Sequence, residues 1–207
     1  MLHLETVDGR SFTILKELML LPNLKDFCLV GGTALSLLYG HRISDDIDLF
    51  SNSNFENQTI IDGIISKFPK EYRVRTSTHF GIFGYIGDLK LDIVRTPHPL
   101  IRPIVEIDGI RMFSPEDIIA MKVQAILGRG KKKDFWDIAE LLNHFSVKDF
   151  VEFHKEKYST QNLLISVPQT MVYFDDADES EEPISLKNQT WKSVKKQITE
   201  TVRAYLS

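Results

Sequence analysis

Residues 29–33 read Leu-Val-Gly-Gly-Thr, and residues 46–49, after an interval of twelve, read Asp-Ile-Asp-Leu. The apolar run before the glycines is typical of a short buried strand, and the apolar residues after them recur at helical spacing. Side chains alternate between the faces of a strand, so Asp46 and Asp48 project together while their apolar neighbours enter the core. The sequence therefore predicts a strand, a glycine turn, a helix and a second strand carrying two carboxylates.

The turn at Gly31 and Gly32 is predicted to bind an anion. Glycine adopts positive φ angles and lets a ligand approach the backbone, while the free N–H groups at the start of a helix point at the anion. The hydroxyl of Thr33 could add one more donor. We expect a triphosphate at this turn.

Asp46 and Asp48 offer hard oxygen ligands of the kind that Mg²⁺ prefers, and paired ions stabilise both the attacking and the leaving oxygen in phosphoryl transfer. A hairpin is predicted over residues 80–95, and it carries Asp92 among apolar neighbours. An unpaired buried charge is costly, so we predict Asp92 as the third metal ligand and a candidate base. The alternative is a charge at the edge of the hairpin.

Two further segments supply charged side chains. Ser-Pro-Glu-Asp at residues 114–117 is a strong helix start. Lys122 and Arg129 fall along one stripe of that helix and could contact the triphosphate, although a solvated helix face is the alternative for Lys122. Asp134 and Asp137 share a face of the following helix and could orient Lys122, the base or the acceptor.

Together, residues 29–35 (LVGGTAL), 41–50 (HRISDDIDLF), 121–122 (MK) and 133–137 (KDFWD) resemble the AbiEii/AbiGii-type nucleotidyltransferase toxins. These toxins belong to the polymerase-β-like nucleotidyltransferase superfamily. The resemblance implies an α+β fold with a mixed β-sheet flanked by helices, Mg²⁺ dependence, use of a nucleoside triphosphate (NTP), and toxicity that a separate antitoxin restrains. Some relatives add nucleotides to the 3′ end of transfer RNA, which is a precedent rather than a deduction.

Arg42 and Ser44 precede the acids in this string, and they either position phosphate or the loop, or have simple turn roles. Asp45 faces away from the two ligands and is read as a structural neighbour. The predicted catalytic residues are Asp46, Asp48, Asp92, Lys122 and Asp134, of which the first three would bind the metal. The predicted nucleotide-binding residues are Gly31, Gly32, Thr33, Arg42, Ser44, Lys122 and Arg129.

The chain has 207 residues and 43% hydrophobic content, enough to bury a full core. We predict a nucleotidyltransferase core over residues 1–113 and a helical C-terminal region over residues 114–207. Predicted strands span 72–78, 80–86, 89–95 and 105–112; predicted helices span 11–20, 33–39, 55–67, 115–128, 133–145, 147–158, 160–167 and 191–206. The acidic stretch 175–182 is expected to be an exposed loop.

Composition limits the other possibilities. The 25 basic and 29 acidic residues give a net charge of −4, so RNA contacts must come from local clusters, of which 129–133 is the best and 192–196 the next. Cys28 is the only cysteine, which excludes an internal disulfide. No apolar run is long enough to span a bilayer, and acidic residues near the start argue against a signal peptide, so we expect a cytoplasmic protein without membrane contact.

The function expected from these residues is Mg²⁺-dependent transfer of a nucleoside monophosphate (NMP) from an NTP to an acceptor hydroxyl, with the transfer RNA 3′ end as one candidate acceptor and a toxin–antitoxin system as the setting. One alternative is a non-catalytic nucleotide- or partner-binding module on the same fold. Another is an enzyme that nucleotidylates a protein side chain. Motifs for P-loop, Rossmann and zinc sites are absent from the sequence.

Overall fold

A mixed seven-stranded sheet forms the centre of the molecule in the computed structural model, which describes all residues 1–207. The strands are β1 (Cys28–Leu29), β2 (Ile47–Ser51), β3 (Tyr72–Thr78), β4 (Gly81–Ile86), β5 (Leu89–Arg95), β6 (Val105–Ile107) and β7 (Ile110–Met112). Their spatial order is β3-β4-β5-β2-β1-β7-β6. β2 runs parallel to β5 and β1 parallel to β7, whereas the other neighbours are antiparallel.

Helices cover the sheet and make up most of the second half of the chain. They are α1 (Gly9–Met19), α2 (Gly31–Tyr39), α3 (Asn57–Lys67), α4 (Pro115–Gly128), α5 (Lys132–Leu141), α6 (Val147–Lys157), α7 (Val167–Met171), α8 (Asp175–Asp178) and α9 (Trp191–Leu206). Short 3₁₀ turns occupy Leu4–Thr6 and Pro22–Leu24. No helix has both the length and the apolar character needed to cross a membrane.

The alternation predicted for β2 and β5 is confirmed. In β2, and in β5 as far as Ile93, every second residue is buried, and the residues between them are only partly covered. The parallel register pairs Asp48 of β2 with Asp92 of β5. Two strands far apart in the sequence thus present their carboxylates side by side on one face of the sheet.

The predicted start of α4 is also confirmed. Ser114 caps the helix, its hydroxyl accepting a hydrogen bond from the backbone N–H of Asp117 at 3.1 Å, and Pro115 occupies the first helical position. Lys122 is buried on this helix, and Arg129 follows its last residue and is exposed.

Several predicted boundaries were wrong. α2 begins at Gly31, so the two glycines form the first turn of the helix rather than a separate turn before it. The helix predicted over residues 160–167 is absent; α7 starts only at Val167, because the hydroxyl of Ser166 accepts a hydrogen bond from the N–H of Gln169 and fixes the helix start there. The strand predicted over residues 105–112 is a hairpin, which turns at Asp108 and Gly109 with positive φ angles.

The acidic stretch 175–182 is only partly a loop, since it contains α8. Asp178 accepts hydrogen bonds from Trp191 Nε1 at 2.5 Å and Lys195 Nζ at 2.9 Å, which hold the stretch against α9. The buried apolar side chains of residues 1–113 and of residues 114–207 belong to a single hydrophobic cluster. The division into two regions at this point stays a prediction.

Candidate active site

One cleft of about 800 Å³ brings most of the predicted site residues together. It lies between the carboxylate-bearing face of the sheet and the helices α2, α4 and α5. The predicted residues that line it are Gly31, Gly32, Arg42, Ser44, Asp46, Asp48, Asp92, Lys122, Arg129 and Asp134. Thr33 is the exception: it is buried, and its hydroxyl bonds internally to Ser44 Oγ at 2.9 Å and to the carbonyl of Asp46.

This placement of Thr33 differs from its predicted role as a phosphate donor. Its two hydrogen bonds tie the segment that carries Asp46 to the start of α2. Thr33 therefore positions the first acid of the cleft rather than facing into it.

The three predicted metal ligands lie on neighbouring elements. Asp48 and Asp92 are register partners on parallel strands, and Asp46 precedes β2 by one residue. The Oδ2 atom of Asp92 accepts a hydrogen bond from Lys90 Nζ at 2.5 Å, and the Oδ2 atom of Asp46 accepts one from Lys133 Nζ at 3.0 Å. The Oδ1 atom of Asp92 is buried and has no hydrogen-bond partner.

The environment shifts the acids in opposite directions. Burial raises the pKa of Asp48 to about 6, and the nearby charges of Asp92 and Asp46 contribute to that rise while Lys90 opposes it. Burial also acts to raise the pKa of Asp46, but the hydrogen bond and charge of Lys133 outweigh it, so that this pKa lies below its ordinary value. Asp48 is therefore the acid whose charge is least compensated by the protein.

The carboxylates fit a divalent metal by their chemistry. Hard oxygen donors suit Mg²⁺, and the partnerless Oδ1 of Asp92 is a buried acceptor aimed at the same face of the sheet as Asp48. The structure does not gather three metal-binding side chains in the arrangement of a finished metal centre. Instead, the ammonium groups of Lys90 and Lys133 neutralise Asp92 and Asp46.

Gly31 and Gly32 are required by close contacts of the backbone. Gly31 has a φ of +72°, and a Cβ atom there would lie 2.9 Å from Oδ2 of Asp48. A Cβ at Gly32 would lie 2.0 Å from Nη2 of Arg42. Any side chain would displace the carboxylate or the guanidinium, so the start of α2 can lie against both only if these residues are glycine.

Behind the cleft lies a buried ion-pair network formed by His41, Arg42, Lys122, Asp134 and Asp137. The Asp137 carboxylate is its centre. Its Oδ1 atom lies 2.7 Å from His41 Nε2 and accepts a hydrogen bond from Arg42 Nε at 2.7 Å. Its Oδ2 atom accepts from Arg42 Nη2 at 3.0 Å and from Lys122 Nζ at 2.6 Å. Lys122 Nζ also donates to Asp134 Oδ1 at 2.9 Å.

These contacts fix the charges of the network. Burial acts to raise the pKa of Asp137, but Arg42, Lys122 and His41 more than compensate and hold it well below its ordinary value. Burial acts to lower the pKa of Lys122, but Asp134 and Asp137 raise it above its ordinary value. Lys122 uses two of its three donors inside the network, and its side chain lines the cleft.

Arg42 and Ser44 contact protein groups in this structure. Arg42 is bound by Asp137 and donates from Nη1 to the carbonyl of Ile43 at 2.9 Å, while Ser44 bonds Thr33. Of the two readings that the sequence left open, these bonds favour positioning of the segment before Asp46. Contact of either residue with a nucleotide stays a prediction.

Among the cleft residues that sequence reasoning missed are Lys90, Phe83, Phe80, Arg75 and Tyr158. Two of them carried a usable signal. Lys90 precedes Asp92 by two residues on one strand, so strand alternation alone places both on the same face. The two-residue hairpin turn pairs Phe83 with Asp92, a register that counting from the turn could have given.

Comparison with known proteins now identifies the family. The family model described as "Nucleotidyl transferase AbiEii toxin, Type IV TA system" matches residues 13–206. The chain belongs to the AbiEii nucleotidyltransferase toxin family. An uncharacterized protein of Aquifex aeolicus is 32% identical to this AbiEii-family chain over 200 residues, which cover 93% of this chain and 94% of that protein.

Solved structures agree with the AbiEii assignment at the level of the fold. JHP933 from Helicobacter pylori has a TM-score of 0.60 at 20% identity, covering 96% of this chain and 92% of that one. MenT4, a nucleotidyltransferase toxin from Mycobacterium tuberculosis, has a TM-score of 0.55 at 10% identity, covering 93% and 84%. The antibiotic-resistance factor ANT(2″)-Ia has a TM-score of 0.57 at 18% identity, covering 74% and 94%.

The sequence-based predictions of the family, of a polymerase-β-like α+β fold and of a nucleotidyltransferase are thereby confirmed. This AbiEii-family protein is a nucleotidyltransferase toxin of the toxin–antitoxin class. Membership implies, in general terms, an NTP substrate and a cognate antitoxin.

Proposed function

We propose that this AbiEii-family enzyme transfers an NMP from an NTP to the 3′-terminal hydroxyl of an RNA in a Mg²⁺-dependent reaction. The observation that carries the proposal is the parallel register that sets Asp48 beside Asp92, next to Asp46 and the glycine start of α2. This arrangement brings two hard-oxygen donors, with a third one residue before β2, near a helix N-terminus, which is suited to binding phosphate.

The reaction divides among the residues as follows. The N–H groups at the start of α2, the remaining donor of Lys122 and the Arg129 guanidinium bind the triphosphate. Asp46, Asp48 and Asp92 would hold Mg²⁺, which supplies charge neutralisation at the attacking and leaving oxygens. The acceptor oxygen forms a bond to the α-phosphorus, the bond from that phosphorus to the bridging oxygen breaks, and pyrophosphate leaves.

Asp92 is also the base in this proposal. Its side chain lines the cleft and its Oδ1 atom has no hydrogen-bond partner, so taking up the proton of the acceptor hydroxyl there would break no bond within the protein. Lys90 keeps the other oxygen of the same carboxylate in place through its 2.5 Å hydrogen bond.

An RNA acceptor is supported by the cations around the cleft mouth. Arg75, Arg129, Lys131 and Lys133 line it, although the chain as a whole has a net charge of −4. Local positive charge of this kind attracts phosphate backbones. Transfer RNA is the acceptor to test first because it is a precedent among relatives.

The test measures transfer of label from each α-labelled NTP to total transfer RNA with Mg²⁺, followed on denaturing gels. Asp48→Asn is expected to reduce labelling by at least about 100-fold. The substitution removes one charged carboxylate that would bind the Mg²⁺ ions neutralising the reacting phosphate. Asp45→Asn is the matched control: Asp45 is exposed and does not line the cleft, so transfer should be retained.

Three results would contradict the proposal. They are undiminished transfer by Asp48→Asn, no dependence on Mg²⁺, and a labelled product that survives ribonuclease but not protease. The last result would assign the acceptor to a protein side chain. Growth arrest on expression of the wild type, but not of Asp48→Asn, would tie the same chemistry to toxicity, and rescue by a protein encoded next to the gene would identify its antitoxin.

The second candidate is a nucleotide-binding module without turnover. The ion pairs of Asp46 with Lys133 and of Asp92 with Lys90 favour it, since they satisfy two of the three acids without a metal. This candidate predicts that NTP raises the melting temperature while no pyrophosphate is released.

A further inference from the structure

A row of side chains crosses the sheet from the glycine start of α2. Asp48 pairs with Asp92 across β2 and β5, and Asp92 pairs with Phe83 across β5 and β4. Register partners on neighbouring strands project to the same face, with strands about 4.8 Å apart. Phe83 is therefore the next side chain after Asp92 on the side away from the triphosphate-binding glycines.

The Phe83 ring packs close to Gly81. A Cβ at Gly81 would lie 3.3 Å from the Cζ atom of this ring, so the glycine leaves the space that the ring covers. Phe80 meets it edge to face, with ring centroids 6.4 Å apart, and both line the cleft. Phe80 is 47% exposed, which leaves apolar ring surface open to solvent at the cleft mouth.

An arginine stands beside the two rings. The register of β3 with β4 shifts between Val74 and Thr76, so Arg75 is the extra residue of a bulge. Bulges reorient a side chain, and exposed Arg75 lines the same cleft as Phe80 and Phe83. Its guanidinium offers a planar set of donors suited to phosphate.

We propose that Phe83, Phe80 and Arg75 form the acceptor subsite, in which the unpaired 3′-terminal base of a single-stranded RNA end stacks on the phenylalanines and Arg75 binds a phosphate. Aromatic faces and an arginine are how proteins bind single-stranded RNA regardless of sequence. The inference rests on the proposed function and adds the form of its acceptor.

The position of the subsite also separates it from the NTP. The triphosphate is expected at Gly31 and Gly32, on the Asp48 side of the row, whereas the rings lie beyond Asp92, the candidate base for the acceptor hydroxyl. Loss of the rings should therefore weaken RNA binding and leave NTP binding unchanged.

The binding test uses a 5′-fluorescein RNA of about ten nucleotides and measures its Kd by fluorescence anisotropy without NTP. Phe83→Leu keeps an apolar side chain but removes the aromatic face, and it should weaken binding about tenfold. Phe83→Tyr should bind like the wild type. Phe80→Ala, at a more exposed position, tests the same subsite with less risk to folding. Tyr205→Ala is the matched control, because Tyr205 is an exposed aromatic residue on α9 outside the cleft.

The kinetic test measures KM for RNA and KM for NTP in the transfer reaction. We expect Phe83→Leu and Phe80→Ala to raise KM for RNA only. The inference is overturned if neither variant changes the Kd or KM for RNA, if they raise KM for NTP instead, or if an RNA with a base-paired 3′ end binds as tightly as the single-stranded one. Transfer that persists unchanged in these variants overturns the subsite alone, whereas absence of any transfer to RNA by the wild type overturns the proposed function.

Discussion

The cleft is built from two sets of ion pairs that differ in their access to solvent. The buried network around Asp137 exposes no side chain by more than 9%. The pairs Lys90–Asp92 and Lys133–Asp46 are more open, with side-chain exposures between 15% and 40%. Both sets join oppositely charged groups at similar distances, yet only the second involves predicted metal ligands.

We infer from this difference that the buried ion pairs stabilise the site, whereas the more exposed pairs are available for metal binding. A buried carboxylate that satisfies Arg42 and Lys122 cannot be released without leaving cations unpaired in a low-dielectric environment. A half-exposed pair is screened by water and salt, so a divalent ion can replace the lysine at little cost. We expect stability to depend mainly on the first set and metal binding on the second.

Removal of the central carboxylate should produce the largest effect on stability. Asp137→Ala leaves Arg42 and Lys122 buried without their shared partner, and we expect a loss of about 3–5 kcal/mol in the free energy of unfolding. Urea denaturation followed by circular dichroism measures it. The matched control is Glu152→Ala, whose carboxylate pairs with Lys148 on the exposed surface of α6 and should cost far less.

If Asp137→Ala lowers the free energy of unfolding by less than about 1 kcal/mol, the ion pairs of Asp137 contribute no more than surface pairs do. The distinction between the two sets would then be lost. The same variant should also lose transfer activity, since Arg42 supports the backbone of Gly32 and Lys122 faces the cleft.

Acid should weaken the buried network in a predictable direction. Against the effect of burial, Arg42 and Lys122 hold the pKa of Asp137 well below its ordinary value in the folded protein, so the unfolded chain binds the proton more readily. Its contribution to stability is therefore complete above about pH 4 and is lost as the pH falls toward the folded pKa. Unfolding free energies of wild type and Asp137→Asn, compared from about pH 7 to pH 2, should converge only below about pH 4.

A gap between the two proteins that stays constant to the lowest pH, or that closes already near neutrality, would contradict this assignment. Lys148→Gln, at an exposed i,i+4 pair with Glu152, provides a variant whose difference from the wild type should be small throughout.

The two sets also differ in how far the sequence could predict them. The placement of Asp46 and Asp48 follows from strand alternation, and that of Asp92 follows from a hairpin with a recognisable turn. Local periodicity was therefore sufficient to predict where the three acids lie. The partner of Arg42 lies 95 residues away on α5, and no local pattern encodes that contact. Helix-face reasoning put Asp134 and Asp137 on one face, where they could orient Lys122, the base or the acceptor, but it could not show that Arg42 completes the network.

The errors at helix boundaries have a similar cause. The helix predicted over residues 160–167 rested on composition, whereas its actual start depends on the capping hydrogen bonds of Ser166. The glycines were read as a turn that takes positive φ angles and lets a ligand approach the backbone. Gly31 does have a φ of +72°, but both glycines lie in α2 and pack against Asp48 and Arg42, a contact that only the folded chain brings about.

The smallest expected change in stability concerns the more exposed ion pair between Lys133 and Asp46. Lys133→Gln should change the free energy of unfolding by no more than about 1 kcal/mol, because the ammonium and the Asp46 carboxylate are both partly solvated. A double-mutant cycle with Asp46→Asn, measured by urea denaturation at low and at high salt, gives the coupling energy of the pair. That coupling should shrink as salt screens it, while the stability loss of Asp137→Ala should not. A large, salt-independent coupling would mean that Lys133 stabilises the fold as the buried pairs around Asp137 do. A metal ion could then not displace Lys133 from Asp46 without lowering the free energy of unfolding.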